Sequence, residues 1–239
     1  MSVIWHDLEC GGYVEDLWLW RELAGEHGGP ILDVGAGAGR IALDLAGDGL
    51  AVTALDSAPE LLEALRDRAQ RRGLKIETVL ADARAFSLGR RFALCIVPMQ
   101  TIQLLGGASG RGRFLRCARD HLEDSGVLAI ALSDELDLFE VAEGEPAPLP
   151  DVRELDGVVY CSRPTAVRTD DDGFQLERRR ETVATDGKLE VELDLIHLDR
   201  LDPETLEREA GAAGLTATGR RIIPSTGDYV GSVVVMLGG

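Results

Sequence analysis

No apolar run in the 239 residues approaches the ~18 that a membrane-spanning helix needs. Met1 to Glu9 is mixed and acidic, without a basic region followed by a hydrophobic one. On that pattern no signal peptide is expected, and a cytoplasmic protein is the default expectation. Cysteine is sparse: Cys10, Cys95, Cys117 and Cys161 are far apart and form no C-x-x-C pair. A disulfide framework and a cysteine metal site are therefore not expected, and Cys95, inside an apolar run, reads as a small buried hydrophobe. The histidines His6, His27, His121 and His197 are equally scattered, so no metal site is read. Basic charge is in short supply, 25 Lys and Arg against 42 Asp and Glu, for a net charge of −17. Such a surface repels phosphate backbones and anionic lipid, so neither nucleic acid nor a membrane is an expected partner. The two basic clusters, Arg66-Arg68-Arg71-Arg72 and Arg178-Arg179-Arg180, lack interleaved aromatics and read as solvated faces.

What the chain does have is a run of alternating glycines, Ile31-Leu32-Asp33-Val34-Gly35-Ala36-Gly37-Ala38-Gly39-Arg40. Ile31–Val34 is a short apolar strand. After the glycines, Ile41, Ala42, Leu45 and Ala46 recur at helical spacing. Strand, glycine turn and helix open a βαβ nucleotide-binding unit, in which a ligand lies against bare backbone at a helix N-terminus. A dinucleotide fingerprint would place its third glycine at position 40, where this chain has Arg40. The pattern here is G-x-G-x-G, preceded by the acid Asp33.

That form resembles motif I of the class I S-adenosylmethionine (SAM)-dependent methyltransferases, and the resemblance extends in order along the chain. A second strand, Ala51–Leu55, ends at Asp56, placed to accept from ribose hydroxyls. Ser57-Ala58-Pro59-Glu60 then reads as a capping box with proline in the first turn. A third strand, Ile76–Leu80, leads to Asp82-Ala83, which in the family bracket the adenine. A fourth, Phe92–Val97, leads to Pro98-Met99-Gln100-Thr101-Ile102-Gln103, the place of motif IV. This is not the N-P-P-Y-like tetrapeptide of enzymes that methylate nucleobase amines. Arg113–His121 reads as a helix and Gly126–Leu132 as a fifth strand. The stretch from Leu201 to Leu215 is like the family's helix before the last two strands, here Ala217–Ile223 and Ser232–Leu237, with Asp202 as N-cap.

From Glu135 the pattern changes. Glu143–Pro150 is proline-rich and irregular. Val158–Ser162, Thr165–Thr169, Phe174–Thr182 and Leu189–Leu198 then alternate with period two around Asp-Gly-type turns.

The expected architecture is α/β, a doubly wound, mostly parallel seven-stranded sheet with a small inserted antiparallel sheet as a lid. Residues 1–135 and 200–239 form the SAM-binding domain, residues 1–29 its N-terminal helical cap, and residues 136–199 the insertion. The strand order 3-2-1-4-5-7-6 is what the resemblance implies. It implies SAM as cofactor, S-adenosylhomocysteine as product, and a small-molecule methyl acceptor. Cofactor-binding residues on this reading are Asp33, Gly35, Ala36, Gly37, Gly39, Asp56, Ser57, Asp82, Ala83 and Pro98. Tyr13 joins them from the segment Trp5-His6-Asp7…Gly11-Gly12-Tyr13, which resembles the family's N-terminal cover over the cofactor. Gln100, Thr101, Gln103 and His197 are candidates for the substrate side, and His197 and Tyr13 are the candidate catalytic residues. Arg40 is expected to pack outward. The atom methylated is not legible, and a homodimer is left open. Two other classes stay open: a catalytically silent SAM-binding protein, and an NAD-dependent oxidoreductase. The latter is disfavoured by Arg40 and by the lack of a Tyr-x-x-x-Lys pair.

Overall fold

The computed structural model describes residues 3–133, 136–142, 148–227 and 229–239. Two short helices, α1 (Val3–Glu9) and α2 (Leu17–His27), precede a βαβ succession. It comprises β1 (Ile31–Val34), α3 (Arg40–Gly47), β2 (Val52–Asp56), α4 (Pro59–Arg71), β3 (Ile76–Leu80) and β4 (Phe92–Val97). A 3₁₀ turn (Thr101–Leu104), α5 (Gly107–Asp120) and β5 (Leu122–Leu132) follow. Then come β6 (Phe139–Glu140), β7 (Asp151–Leu155), β8 (Val158–Thr169), β9 (Gly173–Val183) and β10 (Leu189–Asp199). The chain closes with α6 (Pro203–Ala212), β11 (Thr216–Ile223) and β12 (Ser232–Gly238).

Seven strands form one sheet in the order β11-β12-β5-β4-β1-β2-β3. It is parallel except for β12, which runs antiparallel to β5 and pairs with β11 as a hairpin. This is the order expected from the sequence. β1 and β4 are buried along nearly their whole length, as central parallel strands covered on both faces must be. One face of the sheet packs on α5 and α6 through Phe114, Leu115, Leu206 and Ala210. The other packs on α2, α3 and α4 through Trp20, Leu23, Ile41, Leu45 and Leu65. Trp20 is fully buried, and its indole N–H donates to the Asp16 carboxylate at 2.8 Å.

The second sheet is antiparallel, β10-β9-β8-β6, with β7 also on β8. Where a break at Ser162–Thr165 was expected, β8 runs unbroken to Thr169. The ladder accommodates Pro164 with a register shift between it and Ala166. β7 was not expected at all. Its Asp151-Val152-Arg153-Glu154-Leu155 is mostly charged, and it is a strand because β8 offers it an edge. Of the irregular Glu143–Pro150, residues 143–147 lie outside the described residues.

Two helix starts also differ from expectation. α5 begins at Gly107 rather than Arg113, because tertiary bonds hold its glycine-rich first turns. The Gly107 N–H donates to Asp199, and Arg111 bridges Asp199 and Glu209. α4 begins without the expected capping box. Its N-cap is Ala58, and the Asp56 carboxylate, at the end of β2, accepts the Ala58 N–H at 2.9 Å. The N-cap of α6 is as read, with Asp202 accepting from the Thr205 N–H at 2.7 Å.

Candidate functional site

The carboxyl ends of β1 to β4 deliver Asp33, the glycine turn, Asp56, Asp82 and Pro98 to one edge of the sheet. The turn folds back over β2, with the Gly35 and Ala36 N–H groups donating to the Leu55 carbonyl at 2.9 and 3.1 Å. Gly35 and Gly37 have φ of +73° and +53°, in the left-handed region that glycine occupies without strain. Both are also crowded: a Cβ on Gly35 would lie 2.6 Å from Thr101, and one on Gly37 would collide with the His6 imidazole. Asp56 is half-buried and anchors the turn, one carboxylate oxygen accepting the Gly37 N–H at 2.8 Å and the other the Ala58 N–H. Each of those oxygens keeps a second lone pair for a further donor.

Asp33 is 1% exposed, and its Oδ1 has no hydrogen-bond partner among the described residues. Burial pushes its pKa up to about 7, with Arg40 opposing and Asp56 adding to the rise. A buried carboxyl oxygen without a donor is costly, so this atom is a candidate acceptor for a ligand cation. It faces a hollow of about 40 Å³ lined by His6, Cys10, Arg40, Pro98, Met99 and Thr101, among others. Met99 holds φ +55°, an uncommon conformation for a side chain with a Cβ, at the point where the loop after β4 turns into the site.

The roof of the hollow is α1. His6 lies against Gly37, its Nδ1 buried without a partner among the described residues, and burial lowers its pKa so that the neutral ring is favoured. On one side of it Asp7 pairs with Arg68 of α4, whose guanidinium also donates to the Ala38 carbonyl. On the other side Glu9 accepts from Arg180 twice and from Ser162, each at 2.7 Å, while Trp5 packs edge-on against Tyr160. α1 therefore ties the glycine turn to the second sheet. The sequence reading singled out Tyr13 in this segment and passed over His6. The signal that could have found it was a polar ring one position from Asp7 in a segment expected to cover the turn.

The remaining candidates spread out. Tyr13 is buried one layer back, its ring 4.9 Å from that of Tyr229 and beneath the Arg40 guanidinium. Burial raises its phenol pKa to about 12, so it stays protonated at neutral pH. Arg40 does not pack outward as expected. It turns inward, makes a two-pronged pair with Asp16 and donates to the Tyr13 carbonyl, because Asp16 is buried and needs a countercharge. Asp82 is exposed and clasped by Arg84, whose hydrogen bonds hold its pKa down to about 2. Ser57 is exposed beside it in the chain order of the edge, and Ala83 is half-buried against the core.

Of the motif IV positions, the Thr101 hydroxyl donates to the Pro98 carbonyl, and the Gln100 amide donates to the Ser133 hydroxyl. Gln103 is fully buried; its amide donates to the carbonyls of Ser133 and Asp199 and accepts the Ser133 N–H. It pins the two sheets together and has no exposed surface to offer a substrate, which corrects its placement among the substrate residues. His197 is exposed on β10 opposite Gln175, near Asp170, and does not line the hollow. Beyond Ser133, whose hydroxyl reaches Ser232 and the Gly231 carbonyl, lies a cleft of about 870 Å³. Leu138 just before β6, Thr169 and Phe174 of the second sheet, and Ile222–Ser225 and Val230–Val233 of the β11–β12 hairpin are among the residues that line it.

Known proteins resemble this chain in sequence and in fold. Residues 31–126 match the family described as "Methyltransferase domain". A probable cobalt-precorrin-6B C(15)-methyltransferase (decarboxylating) from Methanothermobacter thermautotrophicus is 34% identical over 113 residues, covering 46% of this chain and 56% of that protein. The chain spans about half the length of the curated relatives it matches. An S-adenosylmethionine-dependent methyltransferase from Clostridium acetobutylicum superposes with a TM-score of 0.72 over 98% of this chain and 96% of its own, at 15% identity. The sugar N-methyltransferase KedS8 from a Streptoalloteichus species gives 0.69 over 98% and 90%, at 20% identity. The family match is confined to residues 31–126, and the chain as a whole has the fold of the class I S-adenosylmethionine-dependent methyltransferases.

Proposed function

We propose that this protein transfers the methyl group of SAM to a small-molecule acceptor. The observation that carries the reading is the convergence of three acids of different burial and a side-chain-free backbone at one sheet edge. Asp33 offers a buried orphan oxygen suited to an ammonium group, Asp56 half-buried oxygens suited to ribose hydroxyls, and Asp82 an exposed carboxylate beside Ala83 for an adenine amine. Gly35 and Gly37 put bare backbone at this edge, with Thr101 and His6 packed where a Cβ would project. The residues fit the cofactor, although a hollow of about 40 Å³ holds little more than a water. His6 fills the space over Gly37, so on this reading its side chain swings aside when the cofactor enters.

When bound, SAM supplies a methyl group on a sulfonium, open to in-line displacement. The protein's task is alignment and exclusion of water, which a fixed glycine turn and a clamped α1 suit. Neither Tyr13, with its raised phenol pKa, nor exposed His197 is set up as a base at the hollow. The acceptor then arrives as its own nucleophile, a neutral amine being the simplest class. The cleft between the second sheet and the β11–β12 hairpin is the proposed acceptor room, with Gln100 and Ser133 between it and Pro98. The net charge of −17 favours neutral or cationic acceptors.

The test is titration with S-adenosylhomocysteine, followed by turnover assays of SAM with a panel of small amines. Removing Asp56 takes a charged acceptor from the site, so Asp56→Ala is expected to weaken binding by about 1–3 kcal/mol. Unchanged affinity removes Asp56 from the site. Cofactor binding without turnover on any acceptor would favour the silent SAM-binding class.

A further inference from the structure

β10 has its alternation inverted. Along Leu189-Glu190-Val191-Glu192-Leu193-Asp194-Leu195 the acids take the α1 side of the strand: half-buried Asp194 and the more exposed Glu192 reach Arg180, which in turn holds Glu9 of α1. The aliphatic side chains point to solvent, with Leu189, Val191, Leu193 and Leu195 between 45% and 65% exposed. A one-sided antiparallel sheet normally does the reverse. Cross-strand partners share a face, so the same surface carries Val183, Glu181, Arg179 and Glu177 of β9. It extends to Val159, Cys161 and Arg163 of β8 and to Val152 of β7, itself 58% exposed. The Arg163 Nε on this face is buried and lacks a partner among the described residues. A row of four exposed aliphatic side chains bordered by charged ones is the kind of surface that marks an interaction site.

We infer that this outer face is the contact surface of a homodimer, two copies packing face to face as a β-sandwich. The dimensions are of the right order. Three strands of eleven or twelve residues at ~4.8 Å spacing, with the five-residue β7 beside them, present about 600 Å² in plan. A stable interface needs about 800 Å² from each partner. The charge pattern suits a copy of the chain better than a strongly acidic or basic partner, because the patch carries both signs in alternation. Leu193 pairs with Arg179 and Leu195 with Glu177. A two-fold axis crossing the strands between those two rows sets Arg179 of each copy over Glu177 of the other, and Leu193 over Leu195. That arrangement is isologous and closes at two subunits.

Sedimentation velocity at micromolar concentration tests this on four forms of the full chain. The wild type is expected to run as a dimer and Leu193→Glu/Leu195→Glu as a monomer, with unchanged circular dichroism showing that its fold is kept. Arg179→Glu alone is expected to weaken association by about tenfold or more, by putting like charges face to face. Adding Glu177→Arg to it is expected to restore the dimer, which only a self-complementary interface does. A monomeric wild type, or a dimer indifferent to all three changes, overturns the proposal. A dimer lost in Arg179→Glu but not regained in the double reversal overturns this two-fold arrangement.

Discussion

At the scale of single residues, Asp33 makes the sharpest prediction, because burial raises its pKa to about 7 and one of its oxygens has no donor among the described residues. Its folded pKa, about 7, lies above that of an exposed aspartate. The stability it contributes is therefore present at low pH and is lost as pH rises through that value. Asp33→Asn is expected to remove this dependence, and thermal melts from pH 5 to pH 8 will show whether wild type falls relative to the variant. A ligand ammonium beside Asp33 would favour the ionised form. S-adenosylhomocysteine binding is then expected to release a proton near neutrality, seen as a binding heat that varies with buffer ionisation enthalpy in wild type and not in Asp33→Asn. His6 gives the converse case. If its ring must leave Gly37 before the cofactor can enter, His6→Ala raises affinity or association rate, by about tenfold or less. A loss of affinity would make His6 a cofactor contact instead. The glycine turn and Asp56 were legible in the sequence because strand, turn and helix periodicities meet there. His6, the orphan oxygen of Asp33 and the strained Met99 were not, since each depends on what another element brings to within a few ångströms.

At the scale of elements, buried ion pairs set the positions of helices that propensity alone leaves loose. Arg40 is the countercharge of Asp16, which is 1% exposed and also holds the Trp20 indole. Arg40→Ala strands a buried carboxylate and is expected to cost about 3–5 kcal/mol in urea unfolding. Arg21→Ala, which breaks the more exposed pair with Asp44, should cost no more than about 1 kcal/mol. Equal costs would show that burial does not govern these pairs. The sequence placed strands β1 to β4 well, since continuous apolar runs between turn signals have few alternatives. It misjudged Arg40, the start of α5 and the existence of β7 for one shared reason: each is decided by a partner far away in the chain. Asp16 turns Arg40 inward, Asp199 holds the first turn of α5, and β8 makes a strand of a mostly charged segment.

At the scale of the whole molecule, α1 is the joint between the two sheets, held by Asp7–Arg68 on one side and Glu9–Arg180 on the other. Glu9→Ala removes the second tie while leaving Arg180 its pair with Asp194. Hydrogen exchange is expected to quicken in α1 and leave β1 and β4 unchanged; an unaltered α1 would mean that Trp5 and Asp7 suffice to hold it. The seven-stranded order was legible through resemblance, and period-two alternation revealed the second sheet. Which face of that sheet meets α1 was not legible, because on β10 the acids face inward and the aliphatic residues outward. Period alone gives two faces without saying which is covered.

The central claim is that the edge bearing Asp33, Gly35–Gly39, Asp56 and Asp82 binds SAM. Calorimetric titration of the purified chain with S-adenosylhomocysteine, with NADH in parallel and Asp56→Ala as control, tests it most directly. The expected result is saturable micromolar binding of S-adenosylhomocysteine, weaker in Asp56→Ala, with no heat from NADH. Binding of NADH alone, or no response to either ligand, would contradict it.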